Sequence, residues 1–188
     1  GVRWWTPWAK HVPRNGDLRI PPLALEEAPA FEYRDPYWFP AFDGDWSARN
    51  TCNGFQARLS EPHGGKTVYK NFVHTFFSLV PPDEYFAKHP EWFSLIDGQR
   101  RHPEGHKHRS QLCTTNPELR EFMVERVRAW LKESPEANIV SISQDDTYGD
   151  WSGACQCPAC KAIDEREGSH AGTMIELLNF IAGRLGPE

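Results

Sequence analysis

Two groups of side chains in this chain could do chemistry. Asp145 and Asp146 are adjacent carboxylates at the end of the run Ile139-Val140-Ser141-Ile142-Ser143-Gln144. Adjacent carboxylates repel, which raises the proton affinity of one of them. A carboxyl that keeps its proton near neutral pH can act as a general acid, and hydrolysis of a glycosidic bond commonly needs two carboxyls flanking it. An Asp-Asp pair at a strand end also fits a plainer role, capping the loop and meeting solvent. The second group is Cys155-x-Cys157-x-x-Cys160. Three thiolates with a fourth ligand, such as His170 or Cys113, could hold Zn²⁺. The two separated Cys pairs of the usual zinc signature are absent. A disulfide inside the cluster, or reduced thiols packing a loop, fits equally, so neither a metal nor a cofactor is assigned.

Around the acidic pair, His74 could bind a ligand or relay a proton. Arg34 offers a fork of donors suited to sugar hydroxyls or a uronate carboxylate. Gln144 and Trp151 flank the pair in sequence and complete the candidate subsite. His102, His106 and His108, with Arg100, Arg101 and Arg109, read most simply as a solvated loop. Rings make up 13% of the chain, many of them in Pro-rich stretches such as Trp4-Trp5-Thr6-Pro7-Trp8. A flat ring with a polar handle suits a sugar face, and equally suits a core.

The net charge of -5 and the lack of a Lys/Arg stripe argue against nucleic acid as a partner. No run approaches the ~20 apolar residues that a membrane helix needs. Five Cys in 188 residues are too few for a disulfide scaffold.

The elements that must position these groups follow from periodicity and punctuation. Residues 1–30, rich in Pro, read as a connector from an upstream domain. Phe31–Arg34 is a strand candidate that stops at Asp35-Pro36, and residues 40–66 read as a long loop. Tyr69–Val80 contains a second strand, over Phe72–Phe77. A helical turn is expected at Asp83–Lys88, and a hairpin around Asp97-Gly98. Leu112-Cys113 is a short strand candidate. Asn116-Pro117 caps a helix that carries Leu119, Phe122, Met123, Val127, Trp130 and Leu131 on one face and ends at Ser134-Pro135. Ile139–Ser143 is a β-branched strand. Val140 and Ile142 should face helices, which turns Ser141, Ser143 and Asp145 the other way. A last helix spans about Thr173–Leu185, with capping-box spacing at Thr173 and Glu176 and a stripe of Met174, Leu178, Ile181 and Leu185. Alternation of strands and helices predicts an α/β parallel sheet. A (β/α)₈ TIM barrel needs ~250 residues, so the expectation is a partial barrel, roughly its first half, over residues 31–188.

The strings His89-Pro-Glu-Trp-Phe-Ser-Leu-Ile-Asp-Gly-Gln-Arg100, Gln111-Leu-Cys-Thr-Thr-Asn-Pro-Glu118, Val140-Ser-Ile-Ser-Gln-Asp-Asp146 and Cys155-Gln-Cys-Pro-Ala-Cys160 resemble a bacterial domain-of-unknown-function family. Its members look like glycosidase barrels related to α-glucuronidases and β-N-acetylhexosaminidases. The resemblance implies that a small α/β domain precedes the barrel, with Gly1-Val-Arg-Trp-Trp-Thr-Pro7 as its tail. It also implies a glycoside hydrolase acting on polysaccharide or glycan, or alternatively a non-catalytic carbohydrate-binding barrel. The family's acidic motif usually reads Gln-Asn-Asp, so Asp145 stands where Asn is expected and Asp146 matches the recurrent Asp. By analogy with hexosaminidases, Asp146 would be the acid, Asp145 its orienting neighbour, and Arg34 a sugar-hydroxyl ligand. A carbohydrate substrate, the remaining strands and the upstream domain of the same protein are the partners this implies, in a secreted or periplasmic location. The second carboxylate is expected in strands beyond residue 188. The 188-residue piece alone, with an open sheet edge, is expected to be unstable or to aggregate.

Overall fold

A computed structural model describes residues 1–103, 110–147 and 153–186. The chain divides into two compact units, Gly1–Val68 and Tyr69–Glu188. In the first, β1 (Arg3–Trp4) pairs antiparallel with β2 (Lys10–His11). Residues 12–38 follow without helix or strand. The expected strand at Phe31–Arg34 is absent, for a clear reason: its polar backbone groups bond to side chains. Asn53 accepts from Arg34 N–H at 2.8 Å and donates to Glu32 O at 2.8 Å. The Arg34 guanidinium donates to the carbonyls of Phe31, Glu32 and Thr51.

The expected long loop at 40–66 contains α1 (Gly44–Arg49), capped by Asp43, whose carboxylate accepts from Trp46 N–H at 2.8 Å. Trp46 is buried with Ala41, Ala57 and Leu59, and its indole donates to Trp4 O at 3.1 Å. Gly44 is required here, because a Cβ would lie 2.1 Å from Arg58 O.

The second unit is built on β3 (Tyr69–Lys70) and β6 (Ile139–Val140), paired in parallel with Tyr69 opposite Ile139 and Lys70 opposite Val140. Between them run α2 (Phe76–Leu79), α3 (Pro82–Tyr85), the hairpin β4 (Leu95–Ile96) and β5 (Gln99–Arg100), and α4 (Pro117–Glu133). After β6 come α5 (Pro158–Glu167) and α6 (Ala171–Leu185). The hairpin forms as its Asp-Gly turn predicts, with φ of 51° at Asp97 and 76° at Gly98. Leu112 contributes a single bridge to Phe93 rather than a strand.

The strand expected over Phe72–Phe77 does not form, β3 lying before it, and β6 is shorter than the expected Ile139–Ser143. After Lys70 the chain turns away, with φ of 54°, 34° and 53° at Asn71, Val73 and His74, and Phe76–Leu79 is helical instead of extended. Having lost that neighbour, β6 ends at Val140.

The helices form the core. Asn116 caps α4 by accepting from Leu119 N–H at 2.9 Å. Leu119, Met123, Val124, Val127 and Trp130 are buried, whereas Leu131 is exposed. Each such side chain contributes about 1.5–3 kcal/mol on full burial. Tyr85 stacks on Trp92 beside them, and Phe122 meets both rings at a tilt, with centroids 4.9–5.7 Å apart. Trp46, Trp92 and Trp130 are thus core, while Trp5, Trp8 and Trp38 are exposed.

On α6 Thr173, Leu177 and Ile181 are buried and Met174 and Leu185 pack partly buried against the same core, so of the expected stripe only Leu178, 38% exposed, is missing from it. The capping box does not form. The Thr173 hydroxyl donates to His170 O, and Glu176 instead pairs with Arg166 and, at 3.6 Å, with Arg120. The chain is therefore mixed α/β, helices with small two-stranded sheets. No helix among the described residues is long and apolar enough to cross a membrane.

The α6 register is testable. Leu177→Ala is predicted to cost about 2–5 kcal/mol by urea denaturation, and Leu178→Ala within about 1 kcal/mol. Equal losses would contradict the register.

Candidate functional site

The acidic pair lies beyond the C-terminal ends of the parallel strands, where the segments after β3 and β6 meet. Thr75 holds the two together. Its hydroxyl donates to Ser141 O at 3.0 Å and accepts from Ser143 N–H at 2.9 Å. Ser143 O in turn accepts from the N–H groups of Thr75 and Phe76 at 3.1 and 3.0 Å. Val140 and Ile142 pack on the helical core, and the hydroxyls of Ser141 and Ser143 lie 3.4 Å apart, so the alternation expected for this run holds up to Ser143.

Gln111 grips the next residue from both sides. Its amide donates to Asp145 O at 2.6 Å, and its Oε1 accepts from Asp145 N–H at 3.3 Å. The Asp145 carboxylate accepts from Phe77 N–H at 3.1 Å, in the first turn of α2. The two neighbouring acids thus point to different partners. Asp146 is 92% exposed, with Oδ2 3.6 Å from His74 Nε2. His74 Nδ1 lies 3.4 Å from Gln144 O, a carbonyl that can only accept. Nε2 is the ring nitrogen that faces the Asp146 carboxylate.

Of the remaining expected residues, the Gln144 side chain lines a narrow cleft with Gln111, Thr114, Ala154, His170 and Thr173. Arg34 belongs to the first unit, where its guanidinium serves the three carbonyls named above. Trp151, like His106, His108 and Arg109, lies outside the described residues.

The cysteines converge beside this cleft. Cys113, Cys155, Cys157 and Cys160 are all buried, and their sulfurs all lie within 4.8 Å of one another. Cys113 Sγ is 3.7 Å from Cys157 Sγ, and all four are free thiols. Leu95 N–H donates to Cys155 Sγ at 3.3 Å, and Arg100 Nη1 approaches it at 3.7 Å. The Thr115 hydroxyl lies 3.2 Å from Cys160 Sγ, 3.6 Å from Cys113 Sγ and 3.7 Å from Cys157 Sγ. Crowded thiols share negative charge unequally. Hydrogen bonds from Cys155 and Cys160 hold Cys113 far below the usual thiol range, while the same contacts push Cys155 up to about 11 and Cys160 upward. His170 is not part of the cluster, and its Nδ1 pairs with Asp164 at 2.5 Å.

The family model described as domain of unknown function (DUF4838) matches residues 4–188. The chain belongs to this family. Searches of curated proteins and of solved structures return no match.

Three features of this DUF4838 chain escape a reading of its sequence. Gln111 stands in a polar run that reads as a strand edge, and its reach to Asp145 spans 34 positions. Thr75 sits in what reads as a strand interior. Helix α5 begins at Pro158, with Cys157 at its N-cap, inside what reads as a cysteine loop. Pro158 at the first helical position was the available signal.

Gln111→Ala is predicted to leave Asp145 N–H and C=O without partners and to cost about 1–3 kcal/mol, read by thermal or urea denaturation. A loss below about 0.5 kcal/mol, as at an ordinary surface site, would show that Gln111 does not hold the acidic loop.

Proposed function

We propose that this chain is part of a glycoside hydrolase of partial (β/α)₈ barrel type, acting on a polysaccharide or glycan. Asp146 is its general acid, His74 the group that exchanges a proton with it, and Asp145 a positioning residue. The observation that carries this reading is the approach of His74 Nε2 to Asp146 Oδ2, 3.6 Å, beyond the C-terminal ends of two paired parallel strands. Parallel α/β architectures gather their catalytic groups at that end, because the loops after the strands meet there.

The unequal environments of the two acids add support. Asp145 is engaged by a backbone N–H, and an amide oxygen would serve there as well. Asp146 keeps its carboxyl accessible to substrate and within reach of an imidazole. The turn before His74 adds a further point. Val73 and His74 carry φ of 34° and 53°, a strained conformation for a β-branched residue, and such strain concentrates at functional sites. In this reading Gln144 and Trp151 contact the sugar.

The test is release of reducing sugar by the full-length protein from a panel of polysaccharides. Asp146→Asn is predicted to lower kcat/KM by about 10²–10⁴-fold, and His74→Gln to shift the alkaline limb of the pH profile, where a general acid loses its proton. Asp145→Asn should keep most activity, since its Oδ1 can still accept from Phe77 N–H. Unchanged turnover in Asp146→Asn contradicts the assignment. So does wild-type protein that binds glycan and releases no product, which is the outcome of a non-catalytic binding barrel.

A further inference from the structure

We propose that Cys113, Cys155, Cys157 and Cys160 form a structural tetrathiolate site for one Zn²⁺. This inference is independent of the hydrolase reading. It stands on the convergence of four sulfurs from two separate segments of the chain. Cys113 and Cys157 are 44 positions apart in the chain, yet their sulfurs lie 3.7 Å from one another. A tetrahedral zinc with Zn–S of ≈ 2.3 Å sets adjacent sulfurs roughly 3.8 Å apart. All four sulfurs lie within 4.8 Å of one another, so shifts of about an ångström or less bring them to that spacing. A disulfide would require about 2.05 Å within a pair, and the sulfurs here share a centre instead of pairing off.

The surroundings suit a charged tetrathiolate centre. The four cysteines are between 2% and 8% exposed, so water has little access to compete as a ligand. Four protein ligands close the coordination shell, which is the mark of a structural zinc site and not a catalytic one. Soft sulfur donors in tetrahedral array select zinc or iron among common metals. Around them lies an outer shell of donors: Leu95 N–H on Cys155, the Thr115 hydroxyl beside three of the sulfurs, and the Arg100 guanidinium at 3.7 Å. Such partners orient thiolate ligands, and a guanidinium offsets the net negative charge of a zinc tetrathiolate. Binding replaces up to four thiol protons, released to solvent, with four Zn–S bonds, and no electron changes hands.

The spacing Cys155-x-Cys157-x-x-Cys160 supplies three ligands from the loop into α5, and the fourth comes from the turn before α4. The ion would therefore tie the start of α5 to the turn before α4, while Leu95 N–H on Cys155 Sγ adds the β4–β5 hairpin. Gln156 N–H already donates to Leu95 O at 2.7 Å along the same seam.

The experiment is metal analysis by mass spectrometry of the full-length protein, purified without chelator, together with cobalt substitution. One zinc per chain is predicted. Cobalt-loaded protein should show thiolate-to-cobalt charge transfer and the intense visible bands of a tetrahedral site. Cys113→Ser and Cys157→Ser should each lose stoichiometric zinc, whereas Cys52→Ser, outside the cluster, should keep it. Where a serine variant does not fold, the cobalt spectrum and metal content of the wild-type protein decide. Folded wild-type protein without stoichiometric metal overturns the proposal, whether its cluster cysteines are reduced or joined as disulfides. Iron in place of zinc, or an unchanged cobalt spectrum in folded Cys113→Ser, overturns it as well.

Discussion

The second unit depends on how the backbone of residues 141–145 is satisfied once its strand neighbour has left. β3 pairs with β6 for two residues and then turns away. Buried carbonyl and N–H groups need partners, and a missing neighbour would leave them unpaired. Thr75 supplies them for Ser141 and Ser143, Gln111 for Asp145. Side chains thus continue the ladder that the strands abandon, and they carry the acidic loop to a defined position. The turn between β3 and α2, with its positive φ at Val73 and His74, delivers both Thr75 and His74 to that loop.

This constraint divides the labour between two acids that look equivalent in the sequence. Asp145 has its main chain held by Gln111 and its carboxylate by Phe77 N–H. Asp146, the next residue, turns outward to His74. For Asp145 the geometry sets a simple requirement. The position needs an oxygen that accepts from a backbone N–H, which Asn and Asp both supply. Strand alternation describes this run correctly as far as Ser143, where Val140 and Ile142 meet the core. Beyond that point loop bonds set the directions, not the pleat.

Legibility in the sequence follows the range of the deciding interaction. Helix α4, its Asn116 cap and the Asp97-Gly98 turn were readable because each is fixed within a few residues. The Phe31–Arg34 strand failed because Asn53, far along the chain, took over its backbone groups. The α6 stripe was legible at Met174, Ile181 and Leu185 and failed at Leu178, because Leu177 beside it is equally apolar and only packing against the core decides between them. The acidic pair itself was visible, while Gln111 and Thr75, which hold it, act across 34 and 66 positions. Likewise three cysteines announced themselves by spacing, and only the fold chose Cys113 over His170 as the fourth.

The cysteine cluster and the acidic loop share one wall of the unit, joined through Gln111, Leu112 and Cys113, which are consecutive in the chain. A fixed cluster therefore favours a fixed Asp145-Asp146 loop. The most direct measurement of the central claim is a crystal structure of the full-length Asp146→Asn protein soaked with the oligosaccharide it binds best. A glycosidic oxygen about 2.6–3.2 Å from the residue 146 side chain, within general-acid reach, with His74 on the far side of that side chain, is the predicted result. Sugar bound elsewhere, with residue 146 facing bulk solvent, would contradict it.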